Sequence, residues 1–148
     1  MTPNASQVLA DLAARVAANA APDVHPAARA GELSLSALLL GLLAQMWDGA
    51  AERLTQENRA LRALLSEGAG LWGETAQGRW LGELAKGVDA DLKISTLEAA
   101  NAELKVGLIA LHAEVERRTD PAAKALEAKI WSELAAGAER RKLAGSPV

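Results

Sequence analysis

His25 and His112 are the only imidazoles in the chain, and there is no cysteine. Any metal site or activated nucleophile must therefore be built around them, or from carboxylates and hydroxyls alone. A dinuclear carboxylate centre in a helical bundle takes a Glu from each of two helices and a Glu-x-x-His from two more. Pro22 and Ile109 stand three residues before the histidines, so neither completes that motif. His112 and Glu116 are four apart and share a helix face, but an ordinary i,i+4 contact accounts for such a pair. No metal and no cofactor is expected.

Hydroxyl and phosphate chemistry fare no better. Ser34, Ser36, Ser66, Ser95 and Ser132 lie outside any Gly-x-Ser-x-Gly elbow. Gly68-Ala69-Gly70-Leu71-Trp72-Gly73 matches a dinucleotide-binding loop only in its glycines, and no strand precedes it. Asp48 and Asp91 form no convincing acid pair, since each lies to the side of a leucine stripe. The sequence contains no catalytic constellation, and a non-enzymatic protein is expected.

What remains is a repeated pattern. Leu54, Asn58, Leu61, Arg62 and Leu65 match Leu97, Asn101, Leu104, Lys105 and Leu108 at a constant offset of 43, and Asp48 matches Asp91. On helices, Asn58 and Asn101 each fall on a leucine stripe. A core amide left unbonded costs about 1–3 kcal/mol. The pair is expected either to bond within the core, where a polar residue can fix register, or to line a small polar ligand site. Trp72 and Trp80 flank the glycine-rich stretch. They either close one end of the bundle or dock a protein partner, a role in which Trp is favoured.

Composition fixes the elements that carry these residues. The chain has 148 residues, 34 of them Ala and 24 Leu, with no Phe or Tyr. Ala and Leu are strong helix formers, and β-branched residues are scarce, so an all-α fold is expected. The length fits one domain, residues 1–148. A first helix starts near Thr2-Pro3 or Asn4, carries Val8, Leu9, Leu12 and Val16, and ends before Pro22. Pro22, Pro26 and Gly31 make residues 21–33 a linker.

Two long helices follow, at about 34–67 and 89–118. Residues 68–88 form a glycine-rich turn with a short helix between them. The stripe Leu40, Leu43, Trp47, Leu54, Asn58, Leu61 and Leu65 runs through the first long helix. Asp89 is read as the cap of the second. Asp120-Pro121 starts a last helix through Leu126, Ile130, Trp131 and Leu134. The expected architecture is an up-down antiparallel bundle, with the long helices as a hairpin and the shorter terminal helices packed on them.

Net charge is −3 with interspersed signs, and no basic patch carries interleaved aromatics, so no nucleic-acid partner is expected. The most apolar run, Leu35 to Trp47, is short of the roughly 20 residues that cross a membrane. It is expected to be a core helix or an oligomer interface. The first residues lack the charged start and apolar core of a signal peptide, which favours the cytoplasm. These features favour a coiled-coil-like interaction or scaffold protein, as a homodimer. A small-molecule binder with a pocket near Asn58 and Asn101 is the alternative.

Overall fold

A computed structural model describes residues 5–20, 25 and 27–143. Those residues form α1 (Ala5–Arg15), a π-helical segment (Val16–Ala20), α2 (Ala27–Trp72), α3 (Ala76–Lys86), α4 (Ile94–Val115) and α5 (Pro121–Arg140). The fold is all-α, with no strand among the described residues. The expected start at Thr2–Asn4 and the break at Pro22 lie outside the described residues.

α2 is longer than its sequence signals imply. It begins at Ala27, inside the expected linker, and passes through Gly68 and Gly70 to Trp72. A helical glycine costs about 1 kcal/mol against alanine, but packing overrides this at Gly68. A Cβ there would stand 2.5 Å from Leu111 Cδ1, so the glycine is the hollow that receives Leu111. The helix ends at Gly73, whose φ of +54° is the left-handed conformation that glycine accepts without steric cost. Thr75 then caps α3, its hydroxyl accepting from Gly78 N at 3.0 Å. Asp120 caps α5 in the same way, accepting from Ala123 N at 3.0 Å with Pro121 in the first turn.

The chain divides into two compact units, residues 1–50 with 143–148, and residues 51–142. In the second, Leu61, Leu64, Leu65, Leu81, Leu104, Leu108, Leu111, Val115, Ala123, Leu126 and Ile130 form one core. Neighbours along α2 and α4 advance together: Asn58 meets Asn101, Leu65 meets Gly107, and Gly68 meets Leu111. The two long helices therefore run parallel and are not the arms of one hairpin. The return leg is α3 with residues 87–93. Gly82 packs on Ala69, and Asp89 reaches back to Arg62. α5 then runs back along α4 and α2, bringing Trp131 to His112, Lys129 to Glu67 and Arg141 to Glu57.

The first unit is built on small residues. Its buried positions are Ala37, Ala44 and Ala50, and α1 buries none of its own residues. Ala13 and Ala14 of α1 and Ala17 of the π-helical segment share a groove with Ala37, Leu38 and Gly41 of α2. The expected stripe fails here. Leu40 is only partly buried, and Leu43 (51%) and Trp47 (55%) are exposed. Val8 and Leu12 of α1 are exposed as well. The small residues of this segment are buried, and its large leucines are left exposed.

Candidate functional site

Leu54, Asn58, Leu61 and Leu65 recur at alternating spacings of four and three, as do Leu97, Asn101, Leu104 and Leu108. That is heptad spacing, with each Asn three residues before a Leu, the a position of a parallel coiled coil. The fold places the two stripes face to face within one chain. Asn58 and Asn101 are both buried, and Asn101 Nδ2 donates to Asn58 Oδ1 at 2.9 Å. The amide pair is the intramolecular counterpart of the Asn pair in a two-stranded zipper.

The amides sit in the middle of a longer polar chain. Asn58 Nδ2 donates to Asp89 Oδ1 at 3.0 Å and to the Leu97 carbonyl at 3.2 Å. Arg62 Nη2 donates to the same Asp89 oxygen at 2.7 Å, with both side chains largely shielded from solvent. On the other side Asn101 Nδ2 donates to Glu57 Oε2 at 3.4 Å, and Arg141 Nη2 donates to that oxygen at 2.6 Å. Lys105 Nζ lies 3.9 Å from it. The order is Arg62, Asp89, Asn58, Asn101, Glu57, Arg141: cation, acid, amide, amide, acid, cation. Removing a carboxylate from water costs several kcal/mol unless it is paired. Here each acid is paired with an Arg, and the chain is neutral.

Asp89 is not the helix cap its sequence context implies. α4 starts at Lys93, which makes no side-chain cap bond, and Asp91 accepts from Lys93 N at 2.9 Å. Asp89 is drawn instead to Arg62 and Asn58. The hydrogen bond from Arg62 holds its carboxyl below the ordinary carboxylate value; burial opposes this, and the Asn58 donor adds to it. Asp48 is an exposed residue of the first unit, and Asp91 belongs to the second.

Glu57 was not singled out by its sequence, because it sits in a string common to coiled coils. It is the most enclosed carboxylate among the described residues, 3% exposed, and its second oxygen, Oε1, bonds to no protein donor. Beside it, α2, α4 and α5 leave a cleft of about 250 Å³ lined by Leu61, Leu108, Ile109 and Leu134, with Glu57, Lys105 and Arg141 at its polar end.

Trp72 is half-buried against the core, with the Arg118 guanidinium 5.6 Å from its ring centre. Trp80 is 40% exposed on α3. Trp131 is also exposed on one side, and its ring meets His112 edge to face at 5.1 Å.

No known protein family matches the chain, and no curated protein or solved structure matches it significantly.

Proposed function

We propose that the protein is a non-catalytic, cytoplasmic helical interaction module that self-associates as a homodimer through the first half of α2. One observation carries this reading: Leu35, Leu38, Leu39, Leu43, Met46 and Trp47 are exposed, while the buried positions of the same segment are alanines. At 100° per residue the large side chains from Leu33 to Trp47 spread over an arc of about 220°, wider than the roughly 100° stripe of a surface helix. Contiguous apolar surface of this kind marks a protein or membrane contact. A twofold-symmetric partner is the commonest cover for such a face.

The polar chain of the second unit supports a scaffold rather than a reaction. Its acids are engaged by arginines, and no hydroxyl or imidazole belongs to it. By length and composition α2 also qualifies to cross a membrane, with only 11% of its most apolar window buried. The segment's charges, Arg29, Glu32 and Asp48, are mixed in sign, whereas helices lying on anionic membranes are rich in Lys and Arg.

Light scattering on the full chain tests the reading. The expected mass is twice the 15.4 kDa of one chain, and Leu39→Glu with Leu43→Glu is expected to return it to that of one chain. A monomeric wild type would overturn the proposal, and co-flotation with lipid vesicles would replace it with a membrane reading.

A second reading, a small-molecule binder, is favoured by the cleft beside Glu57. Binding sites are mostly apolar with a few placed polar groups, and Oε1 of Glu57 is an acceptor in need of a donor. Ile109→Trp, which fills the cleft, is expected to abolish any ligand-induced thermal shift without altering oligomeric mass.

A further inference from the structure

We infer that His112, Glu116 and Glu127 form a site for a divalent transition-metal ion that ties the end of α4 to α5. Each residue offers one ligand atom, and the three atoms lie within 4.8 Å of one another. His112 and Glu116 come from successive turns at the end of α4, and Glu127 comes from the facing turn of α5. Self-association through α2 plays no part in this inference.

The histidine supplies a second, independent observation. Its Nε2 is enclosed and has no hydrogen-bond partner, with Glu116 Oε1 3.6 Å away, beyond hydrogen-bonding distance. The edge contact with Trp131 fixes the ring that aims it there. A buried donor or acceptor without a partner is costly, and a cation shared with the two carboxylates satisfies it. One imidazole nitrogen and two carboxylate oxygens suit Zn²⁺, Co²⁺ or Mn²⁺, and three protein ligands leave room for water.

The required movement is small. Two ligand atoms on one tetrahedral zinc ion lie about 3.3–3.6 Å apart, given bond lengths of 2.0–2.2 Å, and His112 Nε2 and Glu116 Oε1 already stand 3.6 Å apart. Glu116 is half exposed and has the freedom to swing inward. Lys124 Nζ donates to Glu127 Oε2 at 2.7 Å, which leaves this carboxylate its other oxygen and gives it an orienting partner of the kind that metal ligands use. The competing account is an ordinary i,i+4 contact between His112 and Glu116 with no metal at all.

The test uses the full chain, stripped with a chelator and titrated with Co²⁺ and then Zn²⁺, followed by visible absorption and calorimetry. With no cysteine and one other histidine, background binding is low. The expected result is one saturable equivalent of Co²⁺ with a visible d–d band, displaced by Zn²⁺. His112→Gln and Glu127→Gln are each expected to weaken binding at least about tenfold, and His25→Gln to leave it unchanged. Glu116→Gln alters an exposed side chain and keeps the fold, so it decides the matter should the His112 variant not fold. The absence of saturable one-to-one binding, or binding that survives in the Glu116 and Glu127 variants, would overturn the site in favour of the ordinary i,i+4 contact.

Discussion

Asn101 donates to Asn58 across a separation of 43 residues, the same interval that relates the two leucine stripes. Equivalent residues of the repeat therefore touch each other directly. That is possible only because α2 and α4 run in the same direction. Arg62 and Lys105, another equivalent pair, each stand beside a carboxylate of the polar chain, Asp89 and Glu57.

Replacing Asn101 with Leu is expected to destabilise the protein by about 1–3 kcal/mol, because Asn58 Oδ1 is left buried without a donor. Replacing both Asn58 and Asn101 with Leu should cost less than the sum of the single changes, by at least about 0.5 kcal/mol. Urea unfolding of the four proteins gives the coupling. Strict additivity would show that the two amides do not act as a pair.

Stability should fall in acid partly through Asp89. Its carboxyl is held below the ordinary carboxylate value of 3.8 in the folded chain, so its contribution is complete above that value and is lost as pH falls through the lower folded one. Asp91 and Asp120 are lowered as well, so the whole decline is shared. Asp89→Asn should therefore flatten, without abolishing, the loss of stability between neutral pH and pH values below 3.8. An unchanged slope would mean that the Arg62 contact is no stronger in the folded chain than in the unfolded one.

Two glycines of the second unit should respond in opposite directions to alanine. A Cβ at Gly107 would stand 2.8 Å from Leu84 Cδ1 and 3.1 Å from Leu65 Cδ1, and relieving such crowding costs about 1–3 kcal/mol. Gly70 has nothing within 4 Å, so Gly70→Ala should stabilise by up to about 1 kcal/mol through helix propensity alone. Thermal melts of the two variants should move to either side of the wild type.

If self-association covers the leucines of α2, the melting temperature should rise with protein concentration, because only the folded chain dimerises. Scans over a hundredfold concentration range check this, and Leu39→Glu with Leu43→Glu should remove the dependence. A midpoint independent of concentration in the wild type would argue against a dimer.

Helix type and the start of α5 were legible in the sequence because they follow local rules, whereas the ends of α2 and α4 were not. Asp120 has cap geometry, Gly73 has the positive φ of a helix stop, and Ala and Leu supply the propensity. Direction was not legible. Residues 74–93 are short and weakly patterned, yet they form the whole return leg, and nothing local distinguishes that from a turn. Asp89 obeyed the local capping rule in its sequence and a long-range one in the fold, because Arg62 and Asn58 hold it more strongly than the α4 amides. Glu57 gained its importance from Arg141, which lies 84 residues away. The third member of the His112 cluster, Glu127, was invisible for the same reason. The leucines of early α2 were misjudged because periodicity identifies a face but not whether anything covers it.

Gly68 and Leu111 are also 43 apart, and there the two copies differ sharply in size. A parallel pair of leucine stripes can slide by a heptad with little loss of apolar contact. In this chain, moving α4 back by one heptad would set Asn101 beside Ala51 and drive Leu111 out of its hollow onto Leu61. One mark is polar and the other steric, and both select the same alignment. The amide pair can therefore be erased without erasing the alignment, and a near-symmetric duplex of helices keeps a single way to close.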